Sequence, residues 1–145
     1  MEIASVRDWM TSDPVTVHKG SSLRDIRGRM QRADVRRLLV VDDGQRLVGI
    51  VTWGDIVEAW PSPFGPLEPF EVRELMARVL VDEVMATPVV TVDPGATMSE
   101  AANLMFEHRI GALPVVEGDS IVGILTNSDI LQGLVRTLAQ SHARS

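Results

Sequence analysis

The chain has 145 residues, 45% of them apolar but only 4% aromatic and none tyrosine, so its core must be built from Val, Leu, Ile, Met and Ala. Twenty acidic against fourteen basic side chains leave a formal charge of -6, which argues against a nucleic-acid polymer as the main partner. The absence of cysteine excludes disulfides, thiolate metal sites and a cysteine nucleophile.

The first elements are short. Val6 to Met10 opens the chain, and the β-branched Val15-Thr16-Val17 predicts a strand. Gly20 marks a turn. Ser22 stands three residues before Asp25, the spacing of an N-cap with its capping box. Leu23, Ile26 and Met30 then recur at helical spacing. Leu38 to Val41 reads as a buried strand, Asp42-Asp43-Gly44 as a turn, and Leu47 to Thr52 as its hairpin partner. A second helix is expected from about Asp55.

Trp60 to Pro69 holds four prolines and a glycine, which predicts a stiff, non-helical connector. Leu75, Met76, Val79 and Leu80 predict a short helix between Phe70 and Leu80. Trp60, Phe64 and Phe70 either cover the edge of the core or meet a partner.

The pattern then begins again. Val81 to Met85 repeats Val6 to Met10; Val89 to Val92 predicts a strand; Gly95 follows. Thr97 stands three before Glu100, with Met98, Ala101, Ala102 and Met105 at helical spacing. Leu113 to Val116, the turn Glu117-Gly118-Asp119, and Ile121 to Thr126 repeat the hairpin, one residue shorter in the turn. A last helix is expected from about Asp129. The fold class is α/β (α+β), two β-α-β-β-α repeats packed with approximate two-fold symmetry. The first spans residues 1–58, the connector and short helix 59–80, the second repeat 81–138, and a flexible tail 139–145.

The chemistry concentrates at Gly49 to Asp55 and Gly123 to Asp129, both Gly-apolar-apolar-Thr-x-x-Asp at a strand-to-helix junction. Two readings stay open. Thr-x-x-Asp is close to a capping box and needs no ligand. The same geometry suits a nucleotide: free N–H groups and a Thr hydroxyl for phosphate, an Asp for both ribose hydroxyls, and a glycine for close backbone approach. Catalysis is not expected. His18, His108 and His142 are scattered, no serine sits in a nucleophile elbow, and Asp55 and Asp129 belong to different repeats. No metal site is expected either. No apolar run reaches the roughly 18–20 residues that span a bilayer. The opening residues lack a signal-peptide layout, so the default expectation is a cytoplasmic protein without membrane contact.

In combination these motifs resemble tandem CBS domains (cystathionine-β-synthase motifs), the two-repeat Bateman module. The carrying residues are Met10, Thr11 and Pro14 to Val17, Arg37 to Asp42, and Gly49 to Ile56. In the second half they are Met85, Pro88 to Val92, Ile110 to Val116, and Gly123 to Ile130. The connector, with Phe70-Glu71-Val72-Arg73-Glu74-Leu75, resembles that of stand-alone proteins of the acetoin-utilisation type.

The resemblance implies regulatory binding of an adenosine compound: AMP, ADP or ATP, with S-adenosylmethionine, NAD and cyclic dinucleotides as variants. No cofactor is required. It implies one cleft of Thr126, Asp129 and Ile124 with Met10, Val15 and Val35, and another of Thr52, Asp55 and Ile50 with Met85, Val90 and Ile110. Apolar side chains would hold adenine, Asp ribose and Thr phosphate. The repeats differ at Arg36-Arg37, replaced by Gly111-Ala112 in the second, and at Leu39, where the family commonly has the proline that Pro114 supplies. The two arginines are either a solvated edge or a phosphate clamp; a clamp means a ligand that carries phosphate and disfavours S-adenosylmethionine. AMP, ADP or ATP is expected ahead of S-adenosylmethionine or NAD. His108-Arg109 either assists there or ends its helix in solvent. Trp53 either stacks on a base or packs at a dimer face. The expected assembly is a homodimer through the helices after Thr52 and Thr126, acting as an energy-sensing module on a regulated protein. The alternative is a scaffold in which both Thr-x-x-Asp motifs are only caps.

Overall fold

The computed structural model describes residues 4–143. In chain order the elements are α1 (Val6–Trp9), β1 (Thr11–Ser12), β2 (Thr16–His18), α2 (Leu23–Ala33), β3 (Arg37–Val41), β4 (Leu47–Thr52), α3 (Trp53–Ala59) and α4 (Pro69–Met76). A 3-10 turn at Val81–Glu83 leads to α5 (Met98–His108), β5 (Ala112–Glu117), β6 (Ser120–Thr126) and α6 (Asn127–Ala143). The β-α-β-β-α order therefore occurs twice, with one reduction. The strand expected over Val89–Val92 is only a parallel bridge between Val92 and Val115. In the first repeat β2 runs parallel to β3, and the Leu39 N–H donates to the Val15 carbonyl. Pro114 stands where Leu39 does and has no N–H to donate. The second ladder is therefore confined to Val92, which donates to the Pro114 carbonyl and accepts from the Val116 N–H.

The compact units divide the chain differently from the sequence repeats. One unit is Val15–Val89; the other joins the segment up to Pro14 with everything from Val90 onward. Each unit holds the sheet of one repeat, completed by the opening segment of the other. In the 15–89 unit the sheet order is β2-β3-β4. The Leu23 N–H donates to Val79, the Val81 N–H to Ser21, and Ile50 and Ala86 exchange both backbone bonds. In the other unit the order is β1-β6-β5, with Thr11 opposite Ile124 and Ser12 opposite Gly123. Val6 and Val81, the matching residues of the two opening segments, are both fully buried.

The aliphatic core follows the sequence periodicities. Leu23, Ile26 and Met30 of α2 meet Leu38, Val40 and Val51 of the hairpin, with Ile56, Met76 and Val81. The other core gathers Val6, Val92, Ala101, Met105, Leu113, Val115 and Leu125. Each fully buried Leu, Ile or Val contributes about 1.5–3 kcal/mol relative to exposure. Trp60 packs on the first core, and the Arg27 guanidinium lies 4.5 Å from its ring centroid and 5.9 Å from that of Trp53. Phe64 and Phe70 do not cover the core: they are 97% and 60% exposed.

Helix starts obey the expected caps in part. The Ser22 hydroxyl accepts from the Asp25 N–H, and Thr97 from the Glu100 N–H, each at 3.1 Å. The return contact from the carboxylate is made at neither among the described residues. Asp25 and Glu100 are exposed, where water serves a carboxylate about as well. The helices expected from Asp55 and Asp129 begin two residues sooner, directly after their Thr caps. The connector helix ends at Met76 rather than Leu80, because Val79 to Val81 pairs with the start of α2. Helix α6 continues to Ala143, into the segment expected to be a tail. In the β3–β4 turn, Asp42 accepts from the N–H groups of Arg46 and Gly44, and these bonds, the Arg46 one foremost, hold its carboxyl below the ordinary value.

Candidate functional site: two Thr–Asp junctions

In the 15–89 unit, β4 ends at Thr52 and α3 begins at Trp53. The Thr52 hydroxyl accepts from the Asp55 N–H at 3.1 Å, and Asp55 Oδ2 accepts from the Thr52 N–H at 2.9 Å. The capping box is thus formed. The other oxygen, Oδ1, accepts no hydrogen bond among the described residues. Arg37 lies directly opposite Thr52 in the antiparallel register, which puts the two side chains on one face. The Arg36 carbonyl accepts from the Trp53 N–H at 2.8 Å, fixing the strand start against the helix start. Gly49 leaves room for Met85: a Cβ there would meet the Met85 side chain, whose neighbour Ala86 pairs with Ile50 through the backbone. Trp53 is half-buried and packs against the core.

In the other unit, β6 ends at Thr126 and α6 begins at Asn127. Thr126 accepts from the Asp129 N–H at 3.3 Å. Asp129 Oδ2 accepts from the Thr126 N–H at 2.9 Å and from its hydroxyl at 3.1 Å. The second oxygen is taken as well: the Thr11 hydroxyl donates to Asp129 Oδ1 at 3.0 Å. Opposite Thr126 stands Ala112, so no arginine matches Arg37. Gly123 is required by the β1 segment, because a Cβ there would lie 2.6 Å from Met10 Sδ and 2.8 Å from the Thr11 carbonyl oxygen. Ile110, Gly111 and Asn127 line a cavity of about 670 Å³ in the same unit.

Met10, Ile124, Thr126 and Asp129 therefore share one unit, and Met85, Ile50, Thr52, Asp55, Arg36 and Arg37 share the other. Val15 and Val35 belong to the 15–89 unit, and Val90 and Ile110 to its counterpart. In each case this is the unit other than that of the Thr–Asp pair they were expected to join. His108 and Arg109 end α5 exposed, with Arg109 as a left-handed C-cap at φ 55°. Thr11 as a partner of Asp129 was missed; its signal was the contrast of Met10-Thr11 with Met85-Ala86. Among the described residues no three His, Asp or Glu side chains gather as a metal site. No helix among them is long and apolar enough to cross a membrane.

A doubled α+β unit with a Thr–Asp junction in each half defines a tandem-repeat module. The chain belongs to the CBS domain family, whose model matches residues 6–62 and 81–136. It is 33% identical to a solved structure named as an acetoin utilization protein (AcuB) from Vibrio cholerae, with a TM-score of 0.78 and 98% of each chain covered. The CBS domain pair of protein MJ0100, solved with 5′-methylthioadenosine and S-adenosyl-L-methionine, is 25% identical at a TM-score of 0.77, covering 94% of this chain and 99% of that one. CBSX2, solved with AMP, is 25% identical at a TM-score of 0.73, covering 92% and 97%. Protein MJ1225 of Methanocaldococcus jannaschii is 36% identical over 130 residues; the match takes 88% of this chain but 46% of that protein. The chain thus spans less than half the length of that curated relative.

Proposed function

We propose that this chain is a non-catalytic regulatory module that binds an adenosine nucleotide of the AMP, ADP or ATP type at its Thr–Asp junctions. The observation that carries the reading is the Asp55 junction: one carboxylate oxygen holds the helix start, the other accepts from no donor among the described residues, and Arg37 faces Thr52 across the hairpin. That arrangement offers an acceptor for ribose hydroxyls and a guanidinium for phosphate. The adenosine compounds bound to MJ0100 and CBSX2 support the same ligand class. In the cytoplasm the module acts as a homodimer whose shape, read by a regulated protein, shifts toward the state that binds nucleotide more tightly.

Calorimetry of the whole chain against AMP, ADP, ATP, NAD, S-adenosylmethionine and cyclic dinucleotides tests this. Sub-millimolar binding of AMP, ADP or ATP is expected, and Arg37→Ala should weaken AMP about tenfold while leaving adenosine nearly unchanged. Silence across the panel would remove the reading.

The scaffold alternative has its own observation, since both capping boxes are complete without a ligand. Asp55→Asn separates the two. An amide oxygen can still accept from the Thr52 N–H, so the cap survives while the carboxylate for the diol is lost. Nucleotide affinity should fall with little change in melting temperature; unchanged affinity would favour the scaffold.

A further inference from the structure

This inference rests on the adenosine reading above: the two junctions differ in two hydrogen bonds to the Asp, and the one from Thr11 bears on the oxygen left for a ligand. An ionised carboxylate only accepts, through two oxygens, and the vicinal hydroxyls of a ribose address both. At Asp129 both oxygens already have donors: the Thr126 N–H and hydroxyl on Oδ2, and the Thr11 hydroxyl on Oδ1. Thr11 arrives from the far end of the chain on β1, held in register opposite Ile124. The equivalent residue of the other unit is Ala86, seated on Ile50 by the same kind of pairing but carrying no hydroxyl.

We infer that Thr11 is a specificity-determining residue: its hydroxyl takes one of the two acceptor positions on the Asp129 oxygen left to a ribose diol, which makes the Asp129 junction the weaker of two unequal adenosine sites. Oδ1 keeps a second lone pair, but the Thr11 hydroxyl takes one acceptor position there, so a ribose hydroxyl competes with a charge-assisted bond that Asp55 Oδ1 does not carry. The hydroxyl sets affinity without touching the ligand.

The test is calorimetry with AMP and with 2′-deoxy-AMP on the full chain. Thr11→Val keeps the side-chain shape, suits a strand and removes only the hydroxyl. It should tighten AMP at the weaker site about tenfold, the equivalent of one charge-assisted hydrogen bond no longer in competition. Thr11→Ser, which keeps the hydroxyl, should behave as wild type. The gain should be much smaller for 2′-deoxy-AMP and vanish when Asp129→Asn is added. The reciprocal change, Ala86→Thr, should weaken the Asp55 site and gives a second reading should Thr11→Val fold poorly. AMP binding that Thr11→Val leaves unchanged or weakens overturns the inference alone, as does an equal gain for both nucleotides. No AMP binding to any of these proteins overturns the inference, and only silence across the whole nucleotide panel overturns the adenosine reading with it.

Discussion

Gly49 and Gly123 occupy the same place in the two repeats, yet they answer to different neighbours. At Gly123 an added Cβ would meet the Thr11 carbonyl oxygen at 2.8 Å as well as Met10. A backbone atom held by the β1–β6 pairing cannot step aside. At Gly49 the nearest atoms all belong to Met85, a flexible side chain that can change rotamer. Gly123→Ala should therefore destabilise the protein by about 2–3 kcal/mol, and Gly49→Ala by about 1 kcal/mol or less. Urea unfolding of the two variants gives the comparison directly. Equal losses would mean that the backbone contact at Gly123 relaxes as readily as a methionine. In both junctions the glycine admits a segment from the opposite repeat, a role that does not require ligand contact.

A glycine in the middle of a helix costs about 1 kcal/mol relative to alanine, so Gly133 in α6 calls for a reason. The reason is Trp9 of α1, whose ring lies where a Cβ would be. Gly133→Ala should gain helix propensity but force the ring away, for a net loss of about 1 kcal/mol or more. In a Trp9→Ala background the same substitution should instead stabilise, so a double-mutant cycle by thermal unfolding reads the contact. A stabilising Gly133→Ala in the intact protein would show that α1 does not depend on this seat. The element boundaries show where sequence reading stops. The hairpins, α2 and α5 were legible because apolar period and turn residues agree within a few neighbours. The shortened strand at Val92 was not, although Pro114 was in view: its missing N–H matters only once the parallel partner of β5 is known. The Thr–Asp boxes were legible as local spacing. The Thr11–Asp129 bond was not, because it joins residues 118 positions apart.

Helix α6 leaves Leu131, Leu134, Val135 and Leu138 on one face, 62%, 47%, 65% and 62% exposed. Four aliphatic side chains at that spacing are costly in water and suit a second copy of the chain. Leu134→Glu should convert the proposed dimer to a monomer in sedimentation at micromolar concentration; a wild-type monomer would remove the dimer from the proposal. The crossed segments carry a consequence for the whole chain as well. If a repeat were self-sufficient, residues 1–62 would fold alone. That fragment contains β2, α2 and the first hairpin but lacks Val79 to Ala86, which caps the start of α2, buries Val81 and pairs with Ile50. It also carries Val6, whose burial partners lie beyond residue 90. Residues 15–89 contain every element of one unit's core and leave no opening segment stranded. At about 75 residues this fragment is near the lower size for independent stability, so a modest melting temperature is expected. Circular dichroism and amide dispersion should show a cooperative fold for 15–89 and none for 1–62. The opposite result would mean that the sequence repeat, not the exchanged unit, is what folds.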